Sequence, residues 1–209
     1  MQRLYLLGGE NLETRSSRPI DQSAFQAAGG SPMVAVFPWT SDRDVLEDKY
    51  RRQMVDYFKE MGARAVRFIE HSLPYAEMAR LVEDAQVVYL PGGRTELLLE
   101  RLRRTGAEHL LRLHDGVIIG NSAGALALAN EHVTGLRGGG LGGPMISRGL
   151  GLVDFTLSVH YDLDQDAALE ALSLNRRIFA IPENSALVVG ECSLDIMGDV
   201  AIFQDGKKI

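Results

Sequence analysis

With 209 residues, 45% of them hydrophobic and 24% charged, the chain fits a single α/β domain with a full core. Its formal net charge of −6 argues against nucleic acid as a partner, because phosphate binding needs a basic surface, and no apolar run approaches the roughly 18 residues that span a bilayer. The single cysteine, Cys192, excludes an internal disulfide and fits a cytoplasmic setting.

The opening "MQRLYLLGGE" reads as a first strand at Leu4–Leu7 and is too soon interrupted for a signal peptide. A strand at Met33–Phe37 follows. After Asp44, the positions Leu46, Tyr50, Met54, Tyr57, Phe58 and Met61 recur at helical spacing up to Gly62. Strands are expected at Ala65–Ile69 and Val87–Leu90, and "PGGRT" leads into a helix from about Glu96 through Leu102. A helical "EHLLRLHD" precedes a strand at Val117–Ile119, and a helix is expected from about Ala123. "GLRGGGLGG" (135–143) follows no predicted strand and opens no helix. It is therefore not a phosphate loop, and reads as a flap or a plain long turn. A helix at Asp166–Leu174 and strands at Ile178–Ile181, Ala186–Val189 and Val200–Phe203 complete the chain. This alternation implies an α/β fold in three layers, a mostly parallel sheet with helices on both faces and an antiparallel edge at its C-terminal end.

"GVIIGNSAGALALA" (116–129) sets an apolar strand against a sharp turn and a helix former. Ser122 at that turn is exposed at the sheet's carboxyl edge and sits at a helix N-terminus, where developing negative charge is favoured. Two readings fit: a nucleophile elbow, or a tight turn in which the serine only caps the helix.

A serine nucleophile needs a base within reach and a third group to hold that base. Of the five histidines, His109 and His114 fall on the helix before the serine strand, and His71 and His132 in polar, turn-like surroundings; all four read as surface residues. His160 ends the apolar stretch "GLGLVDFTLSVHYD" where a strand would finish, on the edge where open α/β sheets build their sites. For the acid, the α/β-hydrolase order would leave Glu131 or Asp154, neither of which ends a clear strand. Glu183 follows a strand and Pro182 in "IFAIPENSALVVG" and gives the order Ser, His, Glu, or else is a turn residue in solvent. Cys192 lies between strand-like runs with no helix start after it and does not read as a nucleophile. "DLDQD" lacks the turn glycine and closing glutamate of a calcium loop, so no metal is expected, and Asp164 or Asp166 reads as a helix cap.

"YLPGGRTELLLERL", "GVIIGNSAGALALA", "GLGLVDFTLSVHYD" and "IFAIPENSALVV" fall in the order and spacing of the dipeptidase E and cyanophycinase family of serine peptidases, which the chain resembles from about residue 4 to 190. The resemblance implies a class I glutamine amidotransferase-like, flavodoxin-like fold with serine in place of cysteine. It implies Ser122 as nucleophile, His160 as general base and Glu183 as the group that orients it, with an oxyanion hole from the Gly93 and Ala123 amides and no cofactor. Some members carry an aspartate shortly after the serine, where this chain has Arg137. Two departures bear on substrate. Arg94 stands where the family often has asparagine, and Asp162, Asp164 and Asp166 follow the histidine where aspartate-preferring members carry basic residues. Arg94, Arg137, Arg148 and Tyr161 are the candidate substrate contacts.

The expectation is a cytoplasmic serine peptidase of one domain (1–209) acting on dipeptides or short peptides, in a homo-oligomer or alone, with neither nucleic acid nor membrane as partner. The alternatives are a cyanophycinase-type hydrolase of β-linked Asp-Arg units and a non-catalytic ligand-binding relative.

Overall fold

The computed structural model describes residues 1–10, 14–42, 47–136 and 143–209. Its main sheet has five parallel strands, β1 (Arg3–Leu7), β2 (Met33–Val36), β3 (Ala65–Phe68), β4 (Val87–Leu90) and β5 (Val117–Asn121). Between them run helices α1 (Arg18–Ala27), α2 (Asp48–Glu60), α3 (Tyr75–Asp84), α4 (Thr95–Thr105) and α5 (Ala107–Leu113). After β5 come α6 (Ala123–Leu128), β6 (Ala129–Thr134), β7 (Met145–Arg148), β8 (Val153–Val159), α7 (Asp166–Leu172) and β9 (Arg177–Ile181). The chain ends with β10 (Ala186–Val189), β11 (Leu194–Met197), β12 (Ala201–Gln204) and β13 (Lys207–Lys208).

The main sheet runs β11-β10-β1-β5-β4-β2-β3, with β10 and β11 as the expected antiparallel edge. Strand alternation divides its side chains between two cores. Tyr5, Leu7, Val34, Val36, Tyr89 and Ile119 pack against Phe25 of α1 and Tyr57 and Phe58 of α2. Leu4, Leu6, Ala35, Val88, Leu90 and Ile118 pack against α3 to α6 on the other face. Helices thus cover both faces, as the alternation of elements implies.

The second half departs from a single sheet. β6 to β9 with β12 and β13 form a second sheet, ordered β13-β12-β9-β8-β6-β7, in which β6, β8 and β9 are parallel. Val153, Leu157, Phe179 and Ile181 of this sheet enter the same core as Leu4 and Leu6, so the two sheets share one apolar interior. The predicted strands Ile178–Ile181 and Val200–Phe203 therefore lie in the second sheet. Contrary to the sequence reading, a strand, β6, does precede the glycine run. β6 and β7 pair antiparallel, and the ends of that run meet where Gly135 approaches the Gly143 carbonyl; residues 137–142 lie outside the described residues. α1 and α3 were not expected from the sequence. Among the described residues, no helix is long and apolar enough to cross a membrane.

Candidate active site

The carboxyl ends of β1, β4, β5, β8 and β9 meet at the seam between the sheets. β5 ends at Asn121, and the next residue turns sharply: Ser122 has φ of 49° and ψ of −105°. An L-residue at such a φ carries roughly 1–3 kcal/mol of backbone strain, which persists only where the surroundings enforce it. Here they do. The Ser122 N–H donates to the Leu7 carbonyl at 3.0 Å, and the flanking glycines let strand and helix close up. A Cβ on Gly120 would lie 2.7 Å from the Ala125 nitrogen, and one on Gly124 2.1 Å from the Leu90 carbonyl oxygen.

The turn aims Ser122 Oγ at His160, whose Nε2 lies 2.8 Å away. His160 follows the last residue of β8, with φ of 52°, and its own N–H donates to the Gly8 carbonyl at 2.8 Å. On the far side of the ring, Nδ1 is 3.1 Å from Glu183 Oε1. Glu183 follows β9 and Pro182, and its side chain is 60% exposed against 29% for His160. The sequence-predicted trio is thus brought together with hydroxyl, ring and carboxylate in one line. Such a line can deprotonate the hydroxyl and hold the resulting imidazolium.

The Pro91–Gly92–Gly93 turn after β4 lies against the serine: a Cβ on Gly92 would sit 3.6 Å from Ser122 Cβ. Gly93 has φ of 135° and faces Thr40 so closely that a Cβ would lie 2.8 Å from that side chain. No L-residue fits there without displacement. Ala123 opens α6, so its N–H belongs to the first turn, where a helix supplies no acceptor. Beside this turn a cleft of about 520 Å³ is lined by Thr40, Asp42, Glu47, Tyr50, Met54 and Arg94.

The remaining candidates separate. Arg94 lies at the cleft but is ion-paired to Asp42. Arg148 lines another hollow, with Glu96, Glu100 and Arg103, and pairs in register with Glu131 away from the carboxyl end of β6. The Tyr161 hydroxyl donates to Asp166 at 2.5 Å and accepts from Lys208 Nζ at 2.6 Å, so it is taken up by the second sheet. Arg137 lies outside the described residues. The aspartates after His160 also differ from expectation. It is Asp162, not Asp164 or Asp166, that caps a turn, accepting from the Leu163 N–H at 2.7 Å, while Asp166 is paired with Lys208 at 3.1 Å.

Glu131 pairs with Arg176 at 2.8 Å, and Asp154, at the start of β8, lies six residues or about 20 Å of strand from His160. Cys192 is exposed and sits beyond β10, whose end pairs with the start of β1, at the opposite edge of the sheet from Ser122. Two histidines read as surface residues are instead buried: His114, and His132 on β6 between β7 and β8. Burial holds both ring pKa values below the ordinary range.

Sequence reading missed the segment that joins these parts. Three successive carbonyls at the end of β1 and just beyond it hold the three loops of the site: Leu7 accepts from Ser122, Gly8 from His160 at 2.8 Å, and Gly9 from Asn184 at 3.4 Å. Gly8 and Gly9 have no room for side chains. A Cβ on Gly8 would meet the Pro182 carbonyl oxygen at 2.1 Å, and one on Gly9 would meet the His160 ring at 2.5 Å. The signal was present as paired glycines directly after a strand, in "LLGGE".

Known proteins resemble the chain in sequence and in fold. A curated relative, an uncharacterized peptidase, YgaJ, of Bacillus subtilis (strain 168), is 33% identical over 97 residues, 44% of this chain and 40% of that protein. A crystal structure of a peptidase from an acI-B1 Actinobacterium superposes with a TM-score of 0.71 at 19% identity, covering 100% of this chain and 96% of its own. A Listeria monocytogenes EGD-e protein described as a candidate peptidase E gives a TM-score of 0.71 at 19% identity over 94% of this chain and 98% of its own. These two share the fold. The model of peptidase family S51 matches residues 4–197. The chain belongs to peptidase family S51, the dipeptidase E and cyanophycinase family that its motifs resemble.

Proposed function

We propose that this chain is a serine peptidase that hydrolyses dipeptides or short peptides, with Ser122 as nucleophile, His160 as general base and Glu183 as the acid that orients the ring. The observation that carries this reading is the unbroken line from Ser122 Oγ through His160 to Glu183, at 2.8 and 3.1 Å, with the serine held at φ of 49°. Ser122 Oγ attacks the scissile carbonyl while its proton passes to His160 Nε2. The oxyanion is held by the Gly93 and Ala123 amides, each such donor contributing about 2.7–4 kcal/mol. His160 then gives its proton to the leaving amine, and water, deprotonated by the same ring, releases the acyl group. The Glu183 carboxylate keeps the proton on Nδ1 and Nε2 free to accept.

Glu183→Gln tests the third member. An amide can hold the wrong tautomer and carries no charge to stabilise imidazolium. Removing a buried orienting acid costs about 10⁴ in turnover; Glu183 is 60% exposed and screened by solvent, so the expected loss is about 10²-fold to 10³-fold. Glu131→Gln and Asp154→Asn, whose partners lie elsewhere, should leave kcat/KM within about threefold. A crippled Asp154→Asn enzyme would transfer the role to Asp154.

The groups at the cleft also bear on substrate. Asp42, Glu47 and Arg94 are the charged groups among the described residues that line the cleft beside the Gly92–Gly93 turn, and Arg94 is already paired to Asp42. A substrate carboxylate at about 6 Å from a carboxylate of the cleft meets about 0.7 kcal/mol of repulsion in bulk water, and several-fold more in a partly buried site. Asp162 and Asp166, engaged by Leu163 and Lys208, add little to this, and they are equally poorly placed to receive an arginine side chain. Asp-X dipeptides should therefore not exceed neutral dipeptides by more than about tenfold in kcat/KM. A dipeptide screen showing a hundredfold preference for Asp-X would overturn this assignment.

A further inference from the structure

A second polar cluster lies buried directly beside the serine, and the mechanism above makes no use of it. Glu10 follows Gly9, whose backbone packs on the His160 ring. Asp21 on α1 is fully buried and accepts from the Tyr57 hydroxyl through Oδ2 at 2.6 Å. Glu10 Oε2 accepts from the Tyr89 hydroxyl at 3.0 Å, and the Tyr89 oxygen accepts in turn from Asn121 Nδ2 at 3.4 Å. Asn121 is the residue before the nucleophile. The Ser17 hydroxyl adds a bond to the Gly9 carbonyl at 3.3 Å.

Two oxygens complete the picture. Asp21 Oδ1 and Glu10 Oε1 are sealed from solvent, and among the described residues no N–H or O–H reaches either. Among the described residues, the charged groups that act on Asp21, Tyr57 and Tyr89 are these two carboxyls. Burial first, and the Glu10 charge second, push the Asp21 carboxyl well above the usual range. Two carboxylates, each with an oxygen sealed from solvent in one cluster, are costly to ionise together. One proton between them would satisfy both orphaned oxygens, with Tyr57 donating to Asp21 Oδ2, Tyr89 to Glu10 Oε2, and Asn121 behind Tyr89.

We propose that Glu10 and Asp21 hold one proton between them and act as positioning residues for Ser122 and His160, fixing Asn121 on one side and Gly9 on the other. This rests on Ser122 and His160 being nucleophile and base. Loss of the shared proton sets two buried carboxylates against each other. Glu10 is then driven off Tyr89, and both sides of the serine–histidine contact shift.

The test uses the full chain and a fluorophosphonate probe, which phosphonylates an activated serine with loss of fluoride. The wild-type labelling rate should fall at alkaline pH. Asp21→Asn, whose amide donates to Glu10 and accepts from Tyr57 without titrating, should keep its neutral-pH rate across the same range. Tyr89→Phe, which cuts the link to Asn121, should lower labelling by about tenfold at every pH, the worth of one net hydrogen bond. A second readout is independent of the serine. Asp21 is raised in the folded state, so its contribution to stability is complete below the ordinary aspartate range near about pH 3.9 and is lost as pH rises towards the folded value. The wild-type Tm should therefore fall relative to Asp21→Asn as pH rises. A Tm difference that does not change with pH would refute the shared proton. Parallel alkaline loss of labelling in wild type and Asp21→Asn would refute the positioning role. Absence of labelling at Ser122 in the wild type would remove the nucleophile assignment and the positioning role with it, while the Tm comparison still decides the proton.

Discussion

Ser122→Ala is expected to abolish peptide hydrolysis, lowering kcat/KM by about 10⁴-fold to 10⁶-fold, while the protein remains folded. The size of the loss follows from the geometry. The hydroxyl stands in line with His160 Nε2, at 2.8 Å, and alanine removes the proton that the base would take from it. What survives is what the oxyanion donors and substrate binding provide, about 10³-fold to 10⁴-fold over the uncatalysed reaction. The fold should tolerate the change because the interactions that hold the turn belong to the backbone. The Ser122 N–H still reaches the Leu7 carbonyl, its carbonyl still accepts from Leu126, and alanine meets the same φ of 49° that serine does. Thermal unfolding should show a stability change within about 0.5 kcal/mol, while a progress curve on any dipeptide cleaved by the wild type reads the activity. Retained hydrolysis by a folded Ser122→Ala protein would dismiss the whole catalytic reading.

Strands β1, β2, β4, β5 and β10 of the main sheet were legible because they are continuous, mostly buried apolar runs. Val87–Leu90 and Ala186–Val189 match their predicted bounds, and Leu4–Leu7 and Met33–Phe37 shift by a residue. Strands β6, β7 and β11 were hidden for the opposite reason. β6, "ANEHVT", carries Glu131 for an ion pair and His132 for burial between neighbouring strands, so its polarity reads as a turn. β7 and β11 are only four residues each and lean on their partners rather than on a pattern of their own. α1 begins at Arg18-Pro19, where proline suits a helix start but also reads as a break.

At the site, Ser122, His160 and Glu183 could be picked out because each ends a strand, and strand ends converge in this architecture. The arginines could not be sorted the same way. Arg94 and Arg148 are equivalent on paper, and only their partners, Asp42 for one and the Glu131 register for the other, set them apart. The burial of Asp21 and its facing of Glu10 are likewise tertiary facts. An aspartate three residues into a helix reads as a dipole partner, and nothing local says that it points inward towards a second carboxyl.

Gly9→Ala should lower turnover by about 10²-fold, close to the loss expected for Glu183→Gln, although residue 9 carries no side chain. The backbone here has an ordinary φ, so alanine adds no strain through its dihedrals. The whole effect comes from one methyl group. Its carbon would lie 2.5 Å from His160 Cε1 and 2.6 Å from Nδ1, and 3.2 Å from Glu183 Cγ, all closer than van der Waals contact permits. The ring or the loop must retreat by about 1 Å, and either movement breaks the 2.8 Å contact with Ser122 or the 3.1 Å contact with Glu183. A misplacement of that size costs about 10²-fold in the chemical step. The loss should fall on kcat rather than KM, because the cleft beside Gly92 and Gly93 is untouched, and stability should change by less than about 1.5 kcal/mol, since a partly exposed ring can swing away. Gly8→Ala is the contrasting variant. Its methyl would meet the Pro182 carbonyl oxygen at 2.1 Å, which is backbone and cannot swing, so the expected result is a large drop in Tm. If Gly9→Ala kept full kcat with an unchanged fold, His160 would not need its present place to support catalysis, and the Ser122–His160 assignment would fail on geometry alone.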